Sequence, residues 1–128
     1  MKAPARKAAP RVKKPRKTVT FLHKPTCATC RKAARFMKKR GYKLNYRDIV
    51  KDRLSVAELQ KLIGKHDHEG FLNPRSEIYK ENAMDEKPPS RRAAINLMAK
   101  NPGLIRRPVV VAGGRVVIGY DENGMMRF

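Results

Sequence analysis

The chain has 128 residues, of which 41% are hydrophobic, and its formal net charge is +20. This length predicts one small domain with a compact core. No apolar run approaches the roughly 18 residues of a transmembrane helix, and the N-terminus lacks the apolar segment of a secretory signal. Two cysteines are too few for a disulfide scaffold, so we expect a protein of the reducing cytoplasm.

The positive charge is spread over two parts of the chain. Residues 1–17 contain eight Lys and Arg, with no acidic residue, and the rest of this segment is mostly Ala and Pro. Such a composition cannot bury a core, so we expect a disordered basic tail before a folded domain at residues 18–128. That domain keeps 23 basic residues against 11 acidic ones. The charge would attract nucleic acid or small oxyanions, or it simply maintains solubility.

The first part of the domain has the pattern of a βαβ unit. Thr18 to His23 is a β-branched and aromatic run that predicts a strand, and Lys43 to Asp48 alternates as a second strand would. Between them, the stretch after Cys27 has a helical spacing of apolar residues and stops at Gly41. We therefore expect two parallel strands joined by a right-handed crossover.

A helical insertion is predicted at about residues 52–102. Ser55 and Glu58 form a capping box before an apolar stripe, and Ser90 is a second cap before a helix that stops at Asn101-Pro102. Between these helices, Phe71 to Lys80 reads as a loop that opens a short helix.

The chain then closes with a predicted β-hairpin. Pro108–Ala112 and Arg115–Ile118 flank Gly113-Gly114, which is a strong two-residue turn signal. Both arms are continuously apolar, so the sheet should be covered on both faces. The expected fold class is α/β, with a mixed four-stranded sheet.

Cys27 and Cys30 lie at the junction of the first strand and the first helix. Two cysteines separated by two residues at such a junction indicate a redox pair. The helix N-terminus and nearby basic residues lower a thiol pKa, and Cys27, being nearer the helix start, is the expected nucleophile. The alternatives are an inert buried pair or half of a zinc site, completed by the histidines His23, His66 and His68.

Three segments carry a family resemblance. Pro25–Ala33 follows the first strand, Asn73–Ser76 lies in the insertion, and Leu104–Val111 leads into the hairpin. Together they resemble the glutaredoxin-type arsenate reductases and their relatives, the Spx transcriptional regulators. The resemblance covers about residues 18–120 and implies a thioredoxin-like (glutaredoxin-type) fold. It also implies a cis peptide bond before Pro108, next to the site.

The resemblance implies a site chemistry as well. Cys27 would attack an oxyanion, disulfide or glutathionyl substrate, Cys30 would resolve the adduct, and Arg31, Arg75 and Arg107 would bind the anionic group. Each arginine could instead be an ordinary surface charge. No metal or tightly bound cofactor is implied. Glutathione or a thioredoxin- or glutaredoxin-type protein would supply electrons to a protein that we expect to be monomeric.

Two departures from the arsenate reductases bear on the substrate. Those enzymes commonly carry a serine at the position of Cys30, and their further anion-binding arginine beyond the hairpin turn falls near Ile118 here. An internal disulfide cycle is therefore favoured over dedicated arsenate reduction. The alternative function is an Spx-like redox-sensing transcriptional regulator, whose basic surface would bind RNA polymerase or nucleic acid.

Overall fold

The structure, a computed structural model, describes residues 17–128, so nearly all of the predicted basic tail lies outside the described residues. The helices and strands follow one another in this order: β1 (Thr18–His23), α1 (Ala28–Lys39), β2 (Lys43–Asp48), α2 (Val56–Ile63), α3 (Glu77–Glu81), α4 (Arg91–Lys100), β3 (Val109–Ala112), β4 (Arg115–Ile118) and α5 (Glu122–Met125). Short 3₁₀ turns lie at His68–Phe71 and Pro102–Leu104. No helix in this part of the chain is long and apolar enough to cross a membrane.

The four strands form one mixed sheet in the order β2-β1-β3-β4. β1 pairs in parallel with β2, as the βαβ pattern predicted, and antiparallel with β3. In the second pairing Leu22 lies opposite Val109, so the end of β1 is next to the beginning of β3. This register brings the cysteine loop after β1 beside the Arg107-Pro108 segment before β3.

Both faces of the sheet are buried, which confirms the prediction from the apolar hairpin. Phe21 and Val110 pack with Met37 of α1 on one face. Leu22 and Val109 belong to a second cluster with the helices of the insertion on the other face. These side chains are at most 4% exposed, and each contributes about 1.5–3 kcal/mol through burial.

Glycines determine where the first helix ends and where the hairpin turns. α1 ends in a Schellman motif, in which the amide of Tyr42 donates to the carbonyl of Met37 at 3.2 Å. Gly41 takes the positive φ of 88° that this ending requires. At the hairpin, Gly113 and Gly114 have positive φ values of 54° and 80°, which glycine adopts without strain and which a two-residue hairpin turn requires. Both predicted turns are confirmed.

The predicted capping box at the start of α2 is present and also connects the insertion to the sheet. The Ser55 hydroxyl accepts from the Glu58 amide at 3.1 Å, and the Glu58 carboxylate accepts from the Ser55 amide at 3.0 Å. The same carboxylate forms a salt bridge of 2.7 Å with Arg47 of β2. One glutamate therefore stabilises both the helix start and its attachment to the edge strand.

Ser55→Ala should lower the free energy of unfolding by about 1 kcal/mol, because the cap hydrogen bond to the Glu58 amide is lost. Urea denaturation followed by circular dichroism measures this change. Ser76→Ala is the matched control, since Ser76 precedes α3 without a side-chain cap bond. Equal losses in the two variants would contradict the assignment of stability to the Ser55 cap.

Candidate active site

The cysteine loop turns sharply after β1 and ends at the start of α1. The amide of Cys27 donates to the carbonyl of Lys24 at 2.9 Å, and Cys27 has the extended backbone of an N-cap residue. Its carbonyl accepts the first helical bond, from the Arg31 amide at 3.1 Å. The Cys27 side chain thus lies at the positive end of α1, beside amides that the helix leaves unpaired.

The two thiols have different surroundings, although only one helical turn separates them. Cys27 is half-buried, whereas Cys30 is 1% exposed and belongs to the core cluster beneath α1. Both thiols are free, and they lie within hydrogen-bonding distance of each other. Cys27 is therefore the thiol that a substrate can reach, whereas Cys30 is closed to solvent and lies next to Cys27.

The electrostatics of the pair follow from this difference. Burial opposes ionisation of Cys27, but hydrogen bonds from the amide and thiol of Cys30 and from Arg107 outweigh it, so the pKa of Cys27 is lowered. Burial and the neighbouring Cys27 together raise the pKa of Cys30 to about 12, against the opposing effects of the Lys24 backbone amide and the Arg107 charge. Cys27 is therefore the thiol that ionises more readily, and Cys30 the one that holds its proton.

Arg107 reaches the thiols from the segment before β3. The bond between Arg107 and Pro108 is cis, as the resemblance implied, and Pro108 is buried. One terminal nitrogen of the guanidinium donates to the Ile105 carbonyl at 3.3 Å. Its Nε is buried and has no hydrogen-bond partner among residues 17–128. Arg107 is therefore held by the backbone of its own segment while its side chain shares a cleft wall with Cys27.

Cys27 opens into a cleft of about 950 Å³. The cleft walls include two of the predicted anion-binding residues, Arg75 and Arg107. They also include basic residues that sequence reasoning did not single out, namely Arg53, Lys100 and Arg106. Glu77 is the one acidic residue among the described lining residues. The space in front of the thiol is therefore strongly cationic.

Asn73 holds the loop that presents Arg75. Its side-chain amide donates to the Gly103 carbonyl at 3.1 Å, and its side-chain oxygen accepts from the Arg75 amide at 3.1 Å. Its backbone amide donates to the Leu104 carbonyl at 2.7 Å. This explains the Asn-Pro-Arg-Ser motif: asparagine joins the insertion loop to the segment leading into β3, and Arg75 is left exposed at the cleft.

Arg31 has a different position from the other two predicted arginines. Its guanidinium donates to the carbonyl of Pro25 at 3.1 Å, and the residue is exposed. It does not line the cleft, whose walls include Cys27 and Thr29 of the same loop. The structure thus brings Cys27, Arg75 and Arg107 together, while Arg31 stabilises the cysteine loop from outside. Its role as an anion ligand stays a prediction.

Arg106 lies close to where the resemblance led us to expect a further arginine. Ile118 is partly buried against the insertion and offers no charge. The next residue, Gly119, lies against the Arg106 side chain, and a Cβ at Gly119 would be 3.3 Å from the Arg106 Nε. The glycine therefore leaves room for a guanidinium at this end of the hairpin. The adjacent Arg106-Arg107 pair was the signal that could have indicated it.

The histidines do not complete a metal site around the thiols. His23 packs against the rings of Phe21 and Tyr46 with tilted geometry. Burial lowers the pKa of His23, against the opposing charge of Asp48. His68 contacts the Pro89 carbonyl at 2.9 Å in the insertion. Within the described range, no group of three or more side chains of metal-binding type lies close enough together to hold an ion.

Comparison with known proteins agrees with this geometry. The global transcriptional regulator Spx 2 of Lactococcus lactis is 29% identical over 112 residues, which are 86% of this chain and 85% of that protein. The crystal structure of an ArsC family related protein from Bacteroides fragilis superposes with a TM-score of 0.79 at 29% identity, covering 86% of this chain and 97% of the other. An arsenate reductase from Vibrio cholerae gives 0.74 at 26% identity, covering 85% and 95%.

A family model identifies the same relationship from the sequence. The ArsC family model matches residues 22–128, which contain β1 from Leu22 onwards, both thiols, the insertion and the hairpin. The predicted family resemblance and the predicted thioredoxin-like fold are both confirmed. The chain belongs to the ArsC family.

Proposed function

We propose that this protein is a thiol-dependent oxidoreductase in which Cys27 is the nucleophile and Cys30 the resolving thiol. The observation that carries the proposal is the position of the half-buried Cys27 thiol, one helical turn from Cys30, in the wall of a cationic cleft that Arg107 also lines. A low-pKa thiol that is accessible to solvent is the arrangement that nucleophilic cysteines require. The expected cytoplasmic location belongs to the same proposal, since the cycle needs a reducing environment.

A disulfide substrate would react with the two thiols in two successive exchange steps. The Cys27 thiolate attacks one sulfur, a mixed disulfide with Cys27 forms, and the other half of the substrate leaves as a thiolate. Cys30 then attacks the Cys27 sulfur, its proton goes to the second leaving thiolate, and a Cys27–Cys30 disulfide forms. The substrate gains two electrons and the protein loses two. An external thiol, such as glutathione or a thioredoxin- or glutaredoxin-type protein, restores the dithiol.

The arginines determine what the substrate should carry. Arg107, next to the thiol, and Arg75, across the cleft, are suited to a carboxylate or an oxyanion, because a guanidinium binds such groups through two parallel hydrogen bonds. An oxyanion, a glutathionyl group or another anionic disulfide therefore fits this site. Because Cys30 is in contact with Cys27, the internal disulfide is the expected product with any of them.

The second candidate is a redox-sensing transcriptional regulator. It is favoured by the similarity to global transcriptional regulators, which extends over 86% of the chain. In that role the Cys27–Cys30 disulfide is a switch, and the basic surface binds RNA polymerase or nucleic acid.

Iodoacetamide should modify one thiol rapidly, and the rate should rise with pH through a midpoint below the ordinary cysteine value of about 8.5. The reason is that only the thiolate reacts, and Cys30 is buried with a pKa of about 12. Arg107→Gln should raise the midpoint and slow the reaction at pH 7 by up to about tenfold per unit of pKa. Mass spectrometry identifies the modified residue.

The control for that experiment is Arg31→Gln, which removes a nearby arginine that donates to the Pro25 carbonyl. Arg31 is not among the groups that lower the pKa of Cys27. Its midpoint should stay close to that of the wild type. An unchanged midpoint in Arg107→Gln would contradict the role of Arg107 in stabilising the thiolate.

The cysteine variants test the order of the two thiols. Cys27→Ser should lose all turnover with a mixed disulfide, whereas Cys30→Ser should stop at the first step and accumulate the mixed disulfide on Cys27. Intact-mass measurement after one equivalent of substrate detects this adduct, and the wild type should show only the internal disulfide. A fully active Cys27→Ser variant would overturn the proposed mechanism.

Binding measurements separate the two candidate functions. If the protein is an oxidoreductase, it should turn over disulfides in the presence of a dithiol, and its affinity for RNA polymerase should not depend on the Cys27–Cys30 disulfide. Absence of turnover together with disulfide-dependent, salt-sensitive binding would favour the regulator. Loss of such binding on deletion of residues 1–17, with the thiols intact, would assign it to the basic tail.

A further inference from the structure

We propose that the cleft in front of Cys27 binds a thiol compound of nucleotide size that carries several phosphate groups, presented to the protein as a disulfide. This inference rests on the proposed thiol chemistry of Cys27 and adds the substrate class. Its support comes from the size of the cleft, the number of its cations and the absence of salt bridges to those cations within the described residues.

The cleft is much larger than a small oxyanion requires. Its volume is about 950 Å³, whereas a water molecule occupies about 30 Å³ of liquid volume, and a tetrahedral oxyanion is only a few times larger. Sites for drug-sized and cofactor-sized molecules have volumes of about 300–1,000 Å³. A bound oxyanion would leave most of this space filled with water, and a nucleotide-bearing thiol would fill it.

The cations of the cleft are more numerous than one anionic group can use. Five basic side chains line it, namely Arg53, Arg75, Lys100, Arg106 and Arg107. Within residues 17–128, none of the five is in a salt bridge, because the only such pairs join Arg47 to Asp52 and to Glu58. The guanidinium fork binds carboxylate and phosphate alike, but a molecule with several phosphates carries more negative charge, so four arginines and one lysine favour several phosphates over isolated carboxylates.

Two of these cations come from the helical insertion. Arg53 precedes α2 and donates to the carbonyl of Lys100, the last residue of α4, at 3.4 Å. Arg107, by contrast, precedes β3 next to the end of β1, where the cysteine loop begins. Arg107 thus serves the reacting sulfur, and the Arg53–Lys100 pair is available for a charged group on another part of the same molecule.

The chemistry is that of the proposed cycle. Reduced protein and one equivalent of the disulfide give the Cys27–Cys30 disulfide and two equivalents of the phosphorylated thiol. The first leaves when Cys27 attacks, and the second leaves, taking the proton of Cys30, when Cys30 attacks. A single turnover needs no reductant other than the protein dithiol, so the first-order dependence on substrate can be measured directly.

The test compares two disulfides that have the same reacting group. Coenzyme A disulfide and pantethine both present a pantetheine sulfur, but only the first carries phosphates. With the full reduced chain at low salt, release of thiol from coenzyme A disulfide should be at least about tenfold faster at equal concentration. The ratio should shrink as ionic strength rises toward about 1 M, where the screening length falls to about 3 Å.

The double variant Arg53→Gln, Lys100→Gln should lose most of this preference, while its rate of iodoacetamide modification stays at the wild-type value. The matched control is Lys61→Gln, Arg92→Gln, which removes the same charge from exposed positions of α2 and α4 outside the cleft walls. Its preference should be that of the wild type. An equal loss in the control would show a general charge effect and overturn the proposed site.

The remaining outcomes separate this inference from the proposed function. Equal rates with coenzyme A disulfide and pantethine would overturn the phosphate-bearing substrate and leave the thiol chemistry in place. Faster reaction with glutathione disulfide than with coenzyme A disulfide would also overturn it, since carboxylates would then be preferred. Failure of all three disulfides to oxidise the reduced chain would overturn the proposed function itself.

Discussion

The site depends on the pairing of β1 with β3. Cys27 and Arg107 are remote in sequence, and the opposition of Leu22 to Val109 is what brings their segments together. The pairing is held by side chains that are buried on both faces of the sheet, so a shift in register would expose them. The same core that stabilises the domain therefore determines the distance between a thiolate and its counter-charge. The arrangement is set by the sheet. Helix α1, with Cys27 as its N-cap, and the hydrogen bonds of Asn73 stabilise it further.

Burial gives the two thiols of one motif opposite properties. Both are near the positive end of α1, yet Cys27 has a lowered pKa and Cys30 a pKa of about 12. Desolvation is the largest effect on each thiol. Donors from Cys30 and Arg107 outweigh it at Cys27, whereas the Lys24 amide and the Arg107 charge do not outweigh it at Cys30. Since Cys30 contacts Cys27 and is closed to solvent, it is protected from reaction with bulk oxidants until an adduct has formed. The packing thus supports the ordered two-step reaction that we propose, without a moving part.

Local patterns in the sequence predicted most of the fold. The strands, the cap at Ser55, the helix end at Gly41 and the two-glycine turn each depend on neighbouring residues. Their positions could therefore be predicted directly from the sequence.

The site was only partly predictable. Cys27 was visible from its motif, whereas Arg75 and Arg107 came from the family resemblance. Arg53 and Lys100 had no local signal, because they meet the cleft only through the packing of the insertion. Arg31 was adjacent in sequence but is directed to the Pro25 carbonyl.

The electrostatics of the cleft links the two candidate functions. When Cys27 of the reduced protein ionises, its thiolate offsets part of the charge of Arg107. Formation of a Cys27–Cys30 disulfide excludes that negative charge and leaves Glu77 as the one acidic residue beside five cations among the described lining residues. The oxidised protein should then bind anions at the cleft more strongly than the reduced protein does.

An enzyme would use this difference to hold an anionic product until the protein is reduced again, and a regulator would use it to bind a partner only when the protein is oxidised. The same pair of thiols and the same arginine serve either purpose, so the distinction between the two functions lies in what occupies the cleft.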